Sequence, residues 1–97
     1  MAETYRVRVP VGLGEVIRRL HPDLKRKIRA GLDAVRDEPS LGKELRDDLD
    51  GLRSLRVGRF RIIYRMEERH VIELVTIGPR RTVYEEAVRL LRRGRRP

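Results

Sequence analysis

The chain contains no cysteine and no tryptophan, and aromatic residues make up only 4% of it. Without cysteine there are no disulfides, no thiolate metal sites and no cysteine nucleophile. A secreted domain of 97 residues would ordinarily lean on disulfide staples, so a cytoplasmic location is expected. The two histidines, His21 and His70, lie far apart and flank no metal-ligand cluster, so neither a metal nor a cofactor is expected. With few aromatic side chains, aliphatic residues must build the core. No apolar run reaches the length of a membrane span, and the first residues lack the apolar stretch of a signal peptide, so no membrane role is expected. A chain of this length has room for one domain, residues 1–97.

What is abundant is positive charge, and it is unevenly placed. Residues 1–52 hold 11 Lys and Arg against 10 Asp and Glu, a balance of +1. Residues 53–97 hold 13 against 5, a balance of +8, and every one of those cations is arginine. A one-sided field of this kind attracts nucleic acid or an acidic protein.

The hydrophobic pattern divides the chain into seven elements. Thr4–Val9 alternates, with Tyr5, Val7 and Val9 opposite Arg6 and Arg8, which predicts a half-buried strand ended by Pro10. Leu13, Val16, Ile17 and Leu20 follow helical spacing; His21-Pro22-Asp23 then interrupts and restarts a helix. Leu24, Ile28, Leu32 and Val35 form the second stripe up to Glu38-Pro39, and Gly31 within it marks a close packing contact. Residues 39–51 read as a loop. Strands are predicted at Ser54–Val57, Phe60–Met66 and His70–Ile77, with turns at Gly58-Arg59 and Glu67-Glu68-Arg69. A final amphipathic helix spans Thr82–Arg93, followed by a frayed basic tail at 94–97. The order β-α-α-β-β-β-α is that of an α+β domain: a small antiparallel sheet of about four strands with two N-terminal helices and one C-terminal helix.

Alternation along the strands says where the arginines point. Phe60, Ile62, Tyr64 and Met66 share one face; Arg59, Arg61, Ile63 and Arg65 share the other. In the preceding strand Leu55 and Val57 oppose Ser54 and Arg56. One face can therefore pack on helices while the other gathers Arg56 and Arg61. Arg80 and Arg81 extend the cationic set from the next strand's end, and Tyr84 reaches back from the last helix. Arginine binds phosphate bidentately, and a tyrosine hydroxyl can hold or relay a proton. Solvation and edge protection are the plain alternative for charges on a sheet face. Alternation alone leaves both open.

The stretch Leu45–Tyr64 (LRDDLDGLRSLRVGRFRIIY), followed by Ile77–Tyr84 (IGPRRTVY), resembles the RelE/ParE toxin superfamily of type II toxin–antitoxin pairs. The resemblance lies in a leucine-rich loop, an RVG-led strand pair, a partner strand and an arginine-to-tyrosine motif opening the last helix. It implies the fold just outlined. For the RelE branch it implies metal-independent, ribosome-dependent cleavage of mRNA in the A site, with the ribose 2′-hydroxyl attacking its own phosphate. Carried over by position, Arg61 is the arginine that stabilises the transition state, Arg80 the one credited with protonating the leaving oxygen, and Tyr84 the base. Arg56 holds phosphate, with Arg53, Arg59 and Arg81 as further RNA contacts.

Two positions depart from that pattern. Ser54 stands where the best-studied branch has lysine, and Pro79 where many relatives have histidine or another polar residue. Since arginine scarcely gives up its proton, catalysis here leans on charge stabilisation and positioning. The resemblance also admits a ParE-like inhibitor of DNA gyrase that acts by binding, and a non-toxic relative that keeps only partner binding. The partners it implies are an acidic, RelB-like antitoxin, which covers the arginine face or displaces the last helix, together with the ribosome and its mRNA.

Overall fold

The structure, a computed structural model, describes residues 5–94. Its elements are β1 (Arg6–Arg8), α1 (Val11–Arg18), α2 (Pro22–Asp37), β2 (Lys43–Glu44), β3 (Leu52–Val57), β4 (Phe60–Glu67), β5 (Val71–Pro79) and α3 (Arg80–Gly94). Two 3-10 turns, Asp47–Leu49 and Glu68–His70, lead into β3 and β5. Thr4 of the expected first strand and residues 95–97 of the expected tail lie outside the described residues; Gly94 ends α3.

The α+β expectation is met, with two differences in the sheet. Lys43–Glu44 adds a fifth, very short strand, so the order is β1-β5-β4-β3-β2. The sheet is also mixed: β1 lies parallel to β5, with Val7 opposite Ile72, while the other neighbours run antiparallel. The parallel pairing follows from the connection, because α1 and α2 carry the chain across the sheet before β2 begins.

Local chemistry explains the boundaries. Pro22 occupies the first turn of α2, where its missing N–H costs nothing, and His21 Nδ1 accepts the Asp23 backbone N–H at 3.1 Å as the N-cap. Gly31 does sit at a close contact: a Cβ there would meet Val57 Cγ2 at 3.0 Å and Ile62 Cδ1 at 3.2 Å. The β3–β4 turn closes Val57 onto Phe60 through two residues, with Gly58 at φ +60°, the conformation that a two-residue hairpin needs at its first central position.

Both faces of the sheet are covered. On one, Ile28 and Val35 of α2 pack with Val57, Ile62, Tyr64, Ile72, Leu74 and Ile77, joined by Leu13 and Ile17 of α1. On the other, Val83 and Ala87 of α3 pack on Leu52 and Ile63. A bulge in β5 serves both layers: Ile63 pairs with Thr76 and Tyr64 with Leu74, so Val75 is the extra residue and turns toward the α3 side. The loop between α2 and β2 is pinned from below. The Tyr64 hydroxyl donates to the Pro39 carbonyl and accepts from the Gly42 N–H, each at 2.8 Å. Among the described residues, no helix is long and apolar enough to cross a membrane.

Candidate functional site

The α3 face of the sheet is apolar only under the helix. Toward the β3–β4 turn it becomes cationic. Leu52, Ser54 and Arg56 alternate onto this face of β3, and Arg61 and Ile63 onto the same face of β4. Arg56 is the register partner of Arg61, which puts the two cations side by side across the ladder. Arg61 in turn faces Gly78 of β5, a residue with no side chain to crowd the guanidinium. Pro79 ends β5 opposite Phe60, and Arg80 follows at once as the first residue of α3.

These placements form a cleft of ≈ 260 Å³ lined by Arg56, Gly58, Arg59, Phe60, Arg61 and Arg80. No carboxylate lines it, and among the described residues none of the ion pairs uses Arg56, Arg59, Arg61 or Arg80. Several arginines elsewhere are neutralised: Arg65 and Arg8 grip Glu73 from either side, and Arg36 pairs with Asp33. Among the described residues, the side-chain hydrogen bond to a cleft arginine runs from Arg56 Nε to the Gly58 carbonyl at 3.3 Å. Like charges directly opposite on a sheet are destabilising, and a bound anion would relieve the Arg56–Arg61 repulsion.

Tyr84 projects from the second turn of α3 and packs, half-buried, against the Leu52–Ile63–Val83 cluster. Its hydroxyl lies 3.2 Å from Ser54 Oγ. Ser54 is one alternation step from Arg56, about 7 Å along the strand, so the phenol lies on the same side of the sheet as the cationic cleft, although Tyr84 is not one of the residues that line it.

The structure thus brings Arg56, Arg59, Arg61 and Arg80 together, with Tyr84 on the same side of the sheet at Ser54. It does not bring Arg53 or Arg81 to the cleft. Arg81 is exposed on the first turn of α3. Arg53 is on the opposite face of β3. It donates to the Gly42 carbonyl at 2.8 Å and the Ser40 carbonyl at 3.2 Å, and it pairs with Glu44 at 3.0 Å. Because β3 begins at Leu52 and not Ser54, alternation sets Arg53 with Leu55 and Val57. Phe60 and Ser54 were not among the expected site residues. Phe60 follows the core face of β4, yet at the strand's end it also lines the cleft, giving an apolar wall against which a base could rest. A larger cleft of ≈ 680 Å³ lies between α1, β5 and the end of α3, but its lining is mostly aliphatic and its one arginine, Arg65, is committed to Glu73. The smaller one holds the concentrated positive charge.

Comparisons with known proteins agree with this fold. The family described as "ParE toxin of type II toxin-antitoxin system, parDE" matches residues 13–84. A curated Toxin RelE from Mycobacterium tuberculosis is 42% identical over 45 residues, and the chain spans about half the length of that relative, 46%, while 45% of this chain is covered. Among solved structures, a chain of the toxin-antitoxin complex RelBE2 from M. tuberculosis superposes with TM-score 0.70 at 26% identity, covering 80% of this chain and 100% of that one. A mutant of E. coli toxin RelE in the free state gives TM-score 0.73 at 22% identity over 90% of this chain and 97% of that one, a likeness of fold. With most of its length matched by the family and its fold shared with these toxins, the chain belongs to the RelE/ParE toxin superfamily.

Proposed function

We propose that this protein is the toxin of a type II toxin–antitoxin pair and cleaves mRNA in the ribosomal A site without a metal. The observation that carries the reading is the unpaired arginine cleft: Arg56 and Arg61 abreast, Arg59 and Arg80 beside them, and no carboxylate among its lining residues. A phosphodiester is the ligand that such a site neutralises, because its non-bridging oxygens accept paired guanidinium N–H bonds. In the reaction the ribose O2′–P bond forms as the P–O5′ bond breaks, and negative charge builds on the phosphoryl oxygens. Arg61, half-buried and flanked by Arg56, meets that charge. Tyr84, on the same side of the sheet, relays the attacking group's proton: its oxygen takes the O2′ proton as its own O–H proton passes to water, and the departing O5′ takes a proton from water. Arg80 reaches the leaving side as a charge, since it is a poor proton donor. The ribosome supplies the remaining geometry by holding the codon in place.

The antitoxin follows from the same surface. A chain of net charge +9 with nearly all of its charge excess in one half suits an acidic segment that folds on binding. Such a segment neutralises the toxin by covering the arginine cleft or by lifting α3, and Tyr84 with it, off the sheet. The similar M. tuberculosis chain comes from a toxin-antitoxin complex.

A second reading rests on a specific observation, the ParE description of the matching family. On that reading the cleft binds DNA gyrase and performs no chemistry.

The deciding experiment is primer extension on mRNA from translating ribosomes mixed with purified protein, beside an Arg61→Ala variant. Cuts within A-site codons, reduced about 10²- to 10³-fold in the variant, are expected. Uncut mRNA together with inhibited supercoiling by purified gyrase would establish the second reading instead.

A further inference from the structure

Ser54 is 2% exposed in the middle of β3, on the face that carries Arg56, and its neighbours there are apolar: Leu52 on its own strand, Ile63 opposite, and Val83 and Ala87 from α3. A hydroxyl in such a setting costs free energy unless it is bonded. An alanine would pack there without that cost. The bond that satisfies the hydroxyl runs to Tyr84 Oη at 3.2 Å, across 30 residues of sequence.

We propose that Ser54 is a positioning residue for Tyr84, holding the phenol hydroxyl at the edge of the arginine cleft with its proton available to the substrate. Ser54 is too deeply buried to touch RNA, so it acts through the tyrosine. A serine hydroxyl has one proton to give and two lone pairs to offer. When Ser54 donates to Tyr84, the phenol O–H is free to turn toward a phosphate or ribose oxygen. When Tyr84 donates to Ser54, a phenol lone pair faces the cleft. The small hydroxyl therefore supports both directions of proton traffic without adding charge to the site. It also limits rotation of the phenol, which would otherwise be fixed only by packing against the half-buried edge of the Leu52–Ile63–Val83 cluster. The proposal rests on the cleavage reading above.

The test is a cycle of variants assayed for cleavage rate on translating ribosomes: wild type, Ser54→Ala, Ser54→Thr, Tyr84→Phe and the Ser54→Ala/Tyr84→Phe double variant, each with its melting temperature. Ser54→Ala is expected to slow cleavage about five- to tenfold, the worth of one hydrogen bond, with the half-saturating protein concentration unchanged. Ser54→Thr should restore the rate to within about twofold, because it keeps the hydroxyl. In the Tyr84→Phe background the alanine should cost nothing further. Wild-type speed in Ser54→Ala, or an equal loss with and without the phenol, overturns the positioning role alone. So does a loss that follows a falling melting temperature and is not restored by threonine, which would make Ser54 an anchor for α3. A wild type that cuts no mRNA at any dose overturns the cleavage reading, and the role of Ser54 falls with it.

Discussion

Arg56 and Arg61 stand directly opposite each other across the β3–β4 ladder, on one face, and among the described residues no carboxylate pairs with either. An antiparallel pair selected for stability alone would set opposite charges or β-branched residues there. Removing one charge should therefore separate stability from binding. Arg56→Thr is expected to raise stability by about 0.5 kcal/mol, because it ends the repulsion and adds a β-branched residue. It should also weaken RNA binding and reduce the salt dependence of that binding by about one ion. Urea denaturation and RNA retention over a salt series measure the two effects, and a variant that loses both stability and binding would contradict this account.

Arg53 should behave the opposite way. Its guanidinium is spent on the Gly42 and Ser40 carbonyls and on Glu44, on the far face from the cleft. Arg53→Ala should lower stability by about 1 kcal/mol and leave RNA affinity within error of wild type. An affinity loss matching that of Arg56→Thr would place Arg53 in the RNA path after all.

The Tyr64 hydroxyl closes the loop between α2 and β2 by bonding both Pro39 and Gly42. Tyr64→Phe leaves the carbonyl and the buried N–H without that partner and should cost about 1–3 kcal/mol. Gly42→Ala should be at least as harmful, since the new Cβ would lie 2.6 Å from the phenol oxygen. Burial pushes the Tyr64 phenol above its ordinary value of 10.0, only partly offset by the Gly42 N–H and the charge of Arg53. A raised phenol keeps its stabilising neutral form below pH 10 and loses it as pH climbs through the folded value. Melting temperature should therefore fall more steeply above pH 10 in wild type than in Tyr64→Phe.

Glu73 ties the parallel strand to the sheet. Burial alone would raise its carboxyl, but bonds from Arg8 Nε at 3.0 Å and Arg65 Nε at 2.9 Å, with both charges, hold it below the usual carboxylate range. For a depressed carboxyl the contribution is complete above the ordinary value of 4.5 and disappears as pH falls through the folded value. Glu73→Gln should flatten the acid limb of the stability profile below pH 4.5 and speed amide exchange at Ile72, whose partner across the ladder is Val7. An acid limb unchanged by the substitution would remove Glu73 from that role.

The β4–β5 turn holds two consecutive non-glycine residues in the left-handed region, Arg69 at φ 61° and His70 at φ 60°. Such residues cost roughly 1 kcal/mol or more each. His70 also packs edge-on against Tyr5 at 5.0 Å, so the arginine is the position to change. Arg69→Asn is expected to stabilise by about 0.5–1 kcal/mol, read as a higher midpoint in urea with unchanged slope. A lower midpoint would show that the arginine has a compensating role.

The parts of the fold that sequence made legible are those with a short repeat. Period-two alternation in FRIIYRM placed Arg61 and Ile63 on one face and Ile62 and Tyr64 on the other, as found. Helical spacing located all three helices to within a few residues, and His21-Pro22-Asp23 marked where α2 begins because a capping side chain and a proline act locally. Arg53 fell outside the alternation for a correspondingly local reason: the expected strand begins at Ser54, whereas β3 begins at Leu52 and sends Arg53 to the α2 side.

What only the tertiary structure decided are the contacts between distant segments. The pairing of β1 with β5 joins Val7 to Ile72 through a parallel ladder, the bulge at Val75 depends on packing two different layers at once, and β2 exists only because β3 is there to pair with it. The meeting of Ser54 with Tyr84 is of the same kind, since it requires α3 to turn back over the sheet after Pro79. Local periodicity follows from bond geometry that repeats every two or 3.6 residues and is written into any short window of sequence. Contacts across 30 or more residues depend on which apolar faces find one another, and no short window carries that information.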